Sequence, residues 1–244
     1  MSAFASVRTA ALMAGIVLTG AAQADVITQW NFNSQPADGS TSTGVTVPST
    51  GVGTASLLGV TGSFASGTAN GGSSDPAATD NSGWQTTGYA AQGMGDKTRG
   101  VQFAVSTLGY DTISVSYDLR HSNTSARHEL FQYSLDGVQF IDFATFTGAA
   151  GDTWFNGRTV DLSGVAGVAN NASFAFRIVS TFAPGTSQYQ ASAAGGNYAG
   201  AGTWRFDMVT VSGSPVTPVP EPESLALLLA GLATVAGVAR RRLA

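Results

Sequence analysis

The sequence predicts an all-β protein: an antiparallel, jelly-roll-like sandwich of two sheets, preceded by a signal peptide and followed by a short transmembrane helix. Apolar residues recur at every second position in nine or ten short runs, the period of a strand with one face in a core and the other in solvent. No segment of the body shows the 3.6-residue period of an amphipathic helix. Glycine contributes 31 of the 244 residues and only 11% are charged, which describes a turn-rich, weakly charged body. Strands in this number bury their apolar faces by packing two sheets together. No repeat of roughly 20 to 50 residues argues for a solenoid or propeller.

The elements follow in order. "MSAFASVRTAALMAGIVLTGAAQA" places Arg8 before a mostly apolar run and ends on Ala22-Gln23-Ala24, the small-x-small pattern of signal peptidase. Residues 1–24 therefore read as a signal peptide, cut between Ala24 and Asp25. Residues 25–214, about 190 in all, are enough to bury a core without disulfides, and the chain has no cysteine. "VITQWNF" turns Val26, Trp30 and Phe32 to one face. From Ser34 to Gly72, 23 of 39 residues are Gly, Ser or Thr, so strands there, such as "TASLLGV", are short. "WQTTGY", "GVQFAVS" with Val101, Phe103 and Val105, and "DTISVSYDLR" with Ile113, Val115, Tyr117 and Leu119 continue the alternation. In "LFQYSLDGVQFIDF", Asp136-Gly137 supplies the positive backbone angles of a tight hairpin. "GRTVDLS", "ASFAFRIVS" with Phe174, Phe176 and Ile178, and "TWRFDMVTV" with Trp204, Phe206 and Met208 complete the strands. Pro184 to Gly202 has no strand pattern and reads as a long loop.

Charge and motifs exclude several functions. Between Asp25 and Asp207 there are 13 acidic residues against seven basic ones, with no basic stripe, so nucleic acid is not an expected partner. Glu129 is the only glutamate between the signal peptide and the tail, and no strand carries the paired carboxylates of a glycosidase. There is no nucleophile elbow and no cysteine nucleophile. His121 and His128 flank a turn-like Ser-Asn-Thr-Ser segment, without a metal-ligand spacing, and read as solvated loop residues. The chain is read as a non-enzyme; a hydrolase using an unusual Asp pair is the third and weakest reading. Trp84, Tyr89, Tyr189 and Tyr198 lie in polar stretches and are candidate sugar-stacking rings, against the alternative that they fill the core. No cofactor is expected beyond a structural calcium. Asp25, Asn33 and Asp207, beside the first and last strands, are its candidate ligands, since jelly-roll carbohydrate-binding modules often hold calcium there. Simple solvation of Asp207, or an exposed pair with Arg205, is the competing reading.

The ending is foreign to this body. After a Pro-rich linker at 215–219 come Pro220-Glu221-Pro222, an uncharged run from Leu225 to Ala239, and Arg240-Arg241-Arg242. As a helix that run spans about 22 Å, short of the ~30 Å hydrocarbon core, and the arginines would extend it by snorkelling while fixing the C-terminus inside. The tripartite tail at 220–244 resembles the PEP-CTERM sorting signal of exported proteins of Gram-negative bacteria. That resemblance implies recognition and processing by the membrane enzyme exosortase, an inner-membrane intermediate, and final placement at the cell surface or in an extracellular matrix. A plain membrane anchor is the alternative. The sequence thus supports an exported, non-catalytic surface or matrix protein, or alternatively a carbohydrate-binding module acting on exopolysaccharide.

Overall fold

The computed structural model describes residues 24–216 and 222–242. Residues 1–23 of the expected signal peptide, Ala22 among them, and residues 217–221, with Pro220 and Glu221, lie outside the described residues. The strands are β1 (Asp25–Trp30), β2 (Thr54–Leu58), β3 (Thr61–Ser66), β4 (Ser82–Thr87), β5 (Gly100–Ala104), β6 (Tyr110–His121), β7 (His128–Ser134), β8 (Ile141–Thr147), β9 (Thr153–Asp161), β10 (Ala175–Thr181) and β11 (Trp204–Pro215), followed by the helix α1 (Pro222–Arg242).

Two antiparallel sheets form the expected sandwich. One runs β3-β4-β11-β6-β9, with β1 also paired to β11; the other runs β2-β5-β10-β7-β8. Most connections carry the chain from one sheet to the other, and this crossing is what makes the sandwich jelly-roll-like. β11 is the spine of the first sheet, because its start pairs with β4, its later part with β1, and its whole length with β6.

The alternation places the core where the pattern says it should. Ile113, Val115, Tyr117, Leu119, Val101, Phe103, Phe174, Phe176 and Ile178 are all buried between the sheets. A file of rings crosses the interior: Trp30 packs on Phe103 at 4.9 Å, Phe103 on Phe176 at 4.9 Å, and Phe176 on Phe131 at 5.3 Å between centroids. Each such ring contributes about 1.5–3 kcal/mol by burial, with a further increment from ring contact.

Several expectations change. Val26 is exposed, because the pairing of β1 with β11 slips between Val26 and Thr28. Met208 is turned from the core by a register shift between Asp207 and Thr210; Val209 and Val211 are buried instead. The Asp136-Gly137 turn is not a two-residue hairpin. Residues 135–140 form the connection, and the Asp136 carboxylate accepts hydrogen bonds from the backbone N–H groups of Val138 and Gln139. His121 and His128 are buried, not solvated. Trp204 and Phe155 pack edge-on against His121, and Gly148 makes room for it, since a Cβ there would lie 2.4 Å from His121 Nε2.

The tail is helical, beginning at Pro222. Proline suits the first helical position because its missing N–H would have no partner there. Leu227, Leu228, Leu229, Leu232, Val235 and Val238 are all exposed. The expected transmembrane span is not supported: among the described residues no helix is long and apolar enough to cross a membrane. The uncharged stretch is only about 22 Å of a helix about 31 Å long.

Candidate functional site

The outer face of the five-stranded sheet carries one continuous polar row. Strand register sets Ser56 beside Gln102, Gln102 beside Arg177, Arg177 beside Gln132, and Gln132 beside Asp142, one residue from each strand. These residues project outward because their neighbours Val101, Phe103, Phe131, Phe176 and Ile178 point into the core. Arg177 Nε donates to Gln102 Oε1 at 2.8 Å, and Gln132 Nε2 donates to Asp142 Oδ1 at 2.8 Å. Lys97 closes the row by pairing with Asp142. The hydrogen bond to Asp142 raises the Lys97 ammonium above its ordinary value. For Asp142 burial works against ionisation, but the bonds from Gln132 and Lys97 outweigh it and hold the carboxyl below its usual range. The Arg177 guanidinium sits 3.5 Å over the Phe140 ring, and its burial lowers its affinity for the proton. Beside the row lies a hollow of about 300 Å³, where Leu130, Phe143, Phe182 and Pro184 meet Lys97 and Asp142. An apolar floor edged by a few fixed donors and acceptors is the usual build of a small-ligand or sugar site.

The sequence-predicted rings do not form an exposed platform. Trp84 is buried, stacked on Phe32 at 5.4 Å and edge-on to Phe103. Tyr89 is buried with its hydroxyl 2.6 Å from Thr86 Oγ1, and the phenol is pushed far up by burial. Tyr189 and Tyr198 stack on each other at 4.6 Å, and their hydroxyls donate to the carbonyls of Gly95 and Ala90. Tyr189 is only 3% exposed, while Tyr198 is partly buried. The 183–202 loop is thus a hydrogen-bonded layer over residues 89–95, fixed by bonds such as Tyr89 N–H to the Gly200 carbonyl. A cleft lined by both tyrosines with Gln92, Gln188, Gln190 and Asn197 remains at its edge.

The calcium candidates separate. Asp25 is exposed on β1, away from the others in register. Asn33 and Asp207 are both buried, joined through the 67–81 loop: Asn33 Nδ2 donates to Asp75 Oδ2 at 2.8 Å, and Ser73 Oγ donates to Asp207 Oδ2 at 2.6 Å. The expected solvation of Asp207 is wrong because this loop covers the outer face of β6 and β11. Burial, with Asp75 and Asp118 nearby, pushes the Asp207 carboxyl up to about 8. Arg205 pairs elsewhere, donating to the Ser66 carbonyl and to Gln85 Oε1. Burial lowers its guanidinium to about 10.

Sequence reasoning missed the polar row. Its members are the outward positions between core residues, which alternation does mark, but alignment into one row depends on strand register.

Residues 218–242 match the PEP-CTERM protein-sorting motif, so the tail carries that sorting signal. No curated protein matches the chain. Among solved structures, the chain is similar to the CBM22-1–GH10 modules of xylanase 10B from Clostridium thermocellum complexed with xylohexaose, at 13% identity and TM-score 0.43, covering 68% of this chain and 27% of that one. It is similar to the CBM22-1–CBM22-2 tandem domain of Xyn10C from Paenibacillus barcinonensis, at 13% identity and TM-score 0.47, covering 84% and 49%. It is also similar to the CBM22-1 xylan-binding domain of Xyn10C from Paenibacillus barcinonensis, at 10% identity and TM-score 0.40, covering 81% and 100%. The chain therefore spans less than half the length of the first two.

Proposed function

We propose that this is an exported, non-catalytic surface or matrix protein, sorted through its C-terminal motif, whose β-sandwich binds polysaccharide on the outer face of its five-stranded sheet. The observation that carries the binding reading is the row Ser56, Gln102, Arg177, Gln132 and Asp142 beside the Phe143 and Phe182 hollow. Such a surface offers amide, guanidinium and carboxylate partners to hydroxyl groups in line, and aromatic ring faces to the C–H groups of sugars. A hydrolytic reading is weaker. Asp118 and Asp207 face each other across β6 and β11 but are buried beneath a loop.

Sorting supplies the location. The exposed leucines and valines of α1 associate with the inner membrane until exosortase processes the chain. Affinity electrophoresis through gels containing the host's own exopolysaccharide tests the binding surface. Arg177→Ala and Phe143→Ala should each weaken retardation about tenfold, the loss of a charge-assisted hydrogen bond or a stacked ring, with little change in melting temperature. Unaltered retardation of the double variant removes the site.

A further inference from the structure

The sandwich is open along one edge. β2 and β3 are end strands of the two sheets and follow one another in the chain, so both lie on the same side. Register sets Ala55 opposite Phe103, Leu57 opposite Val101, Gly62 opposite Thr86 and Phe64 opposite Trp84. Cross-strand partners share a face, so these four positions of β2 and β3 point between the sheets. Yet Leu57 is 41% exposed, and Ala55 and Phe64 are only partly buried. The 44–47 segment meets the same opening. Val45, Val47, Ala55, Leu57, Phe64 and Trp84 line a cleft of about 600 Å³ there, a size that takes a small organic ligand.

A second observation lies at the floor of this cleft. Trp84 is only 4% exposed. The indole N–H groups of Trp30, Trp154 and Trp204 donate to the carbonyls of Thr46, Ala69 and Ala126. Among the described residues the indole N–H of Trp84 has no such partner. Buried indole N–H groups ordinarily find one. Gly62 leaves this donor uncovered, since a Cβ there would lie 3.0 Å from Trp84 Nε1 and 3.2 Å from Leu57 Cδ1. The backbone at Gly62 is not at positive φ. What glycine supplies at this position is therefore space beside the N–H, not a turn.

We propose that this edge cleft binds a neutral acyl group, its hydrocarbon against Val47, Leu57 and Phe64 and its carbonyl oxygen accepting from Trp84 Nε1. None of the described residues lining the cleft is charged, so a carboxylate or ammonium would shed its water there without a counter-ion. Ser56 and Ser63 sit opposite Gln102 and Gln85, on the outward faces of their strands. The inward side chains of β2, β3 and β4 at the cleft thus offer hydrocarbon and one donor. A sugar ring, with a hydroxyl on most of its carbons, would leave several of them unpaired. An acyl group has one acceptor and is otherwise apolar, which matches this lining.

The full-length, isotopically labelled protein tests this with methyl octanoate as the probe, read by the indole N–H signals in two-dimensional NMR. Trp84→Phe identifies the Trp84 signal as the one it removes. In the wild type that signal should move and saturate at one ester per chain, while those of Trp154 and Trp204, which line no part of the cleft, stay in place. Octanoate, of the same length but ionised at neutral pH, should bind at least tenfold more weakly, and glucose should leave the signal unmoved. Gly62→Ala sets a methyl group against the N–H, and Val47→Asp puts a charge at the exposed rim. Each should weaken ester binding at least tenfold with little change in melting temperature. Trp84→Phe should weaken it about fivefold, the worth of one neutral hydrogen bond. Should Gly62→Ala fail to fold, Val47→Asp carries the comparison. An unmoved Trp84 signal in the wild type overturns the inference, as does octanoate or glucose acting as strongly as the ester, or full affinity in the Val47 variant. None of these results bears on the polar row, which lies on the outer face of its sheet.

Discussion

Arg158 reaches from β9 into the space between the sheets and meets Glu129 of β7, with Nε 2.9 Å from Oε1. Glu129 is fully buried, and His121 Nε2 stands 3.8 Å from its other oxygen. The guanidinium lies over the rings of Phe146 and Phe155 and donates through Nη2 to the Thr147 carbonyl. Tyr117 completes the group; burial and the neighbouring Glu129 charge hold its phenol far above the ordinary range. A carboxylate in this setting is tolerable only while its cation is present. Arg158→Met should therefore cost about 3–5 kcal/mol in urea unfolding, whereas Glu129→Met with Arg158→Met should recover most of that loss, because an apolar pair replaces a buried ion pair at little net cost. Equal destabilisation in single and double variants would mean that Arg158 acts by packing, not by charge.

At the scale of the element, β11 is organised by its bulge. Trp204 and Phe206 face the core before it, Val209 and Val211 after it, so one inserted residue shifts the inward positions from even to odd. Met208 absorbs the shift at φ +46°, a conformation that costs a non-glycine residue on the order of 1 kcal/mol. Met208→Asn should be neutral or stabilising by up to about 1 kcal/mol, and Met208→Val, β-branched at positive φ, should destabilise. Thermal unfolding of the pair decides it; equal melting temperatures would show that the bulge relaxes on substitution. The same element shows how far the sequence could be read. Alternation located the strands wherever one face met the core and the other met solvent, as along Ile113 to Leu119. β3 escaped notice because Thr61–Ser66 has a single large apolar residue, Phe64. Asp207 read as solvated because alternation marks only the outward face; that a distant loop covers this face is a tertiary fact. Trp84 and Tyr189 read as site candidates because their polar sequence neighbours conceal aromatic neighbours in space.

At the scale of the whole molecule, an acidic, rigid sandwich is joined to a tail with a different chemistry, and the sorting motif spans the junction at 218–242. On the proposed reading the parts of the tail have separable tasks. The apolar residues of α1 and its terminal arginines hold the chain at the membrane, and Pro220-Glu221-Pro222 is the part the processing enzyme recognises. Pro222 opens α1, so it sets where the helix starts. Replacing Pro220, Glu221 and Pro222 together by alanine removes that boundary and the Glu221 carboxyl, yet leaves the apolar run and the arginines unchanged. Membrane association should persist while processing stops, and the unprocessed chain should accumulate in the inner membrane. C-terminal mass and fractionation, compared between a host with exosortase and one without it, read both effects. If wild type and triple variant keep Leu225 to Ala244 in both hosts, the tail acts only as an anchor and the surface-delivery proposal falls with it.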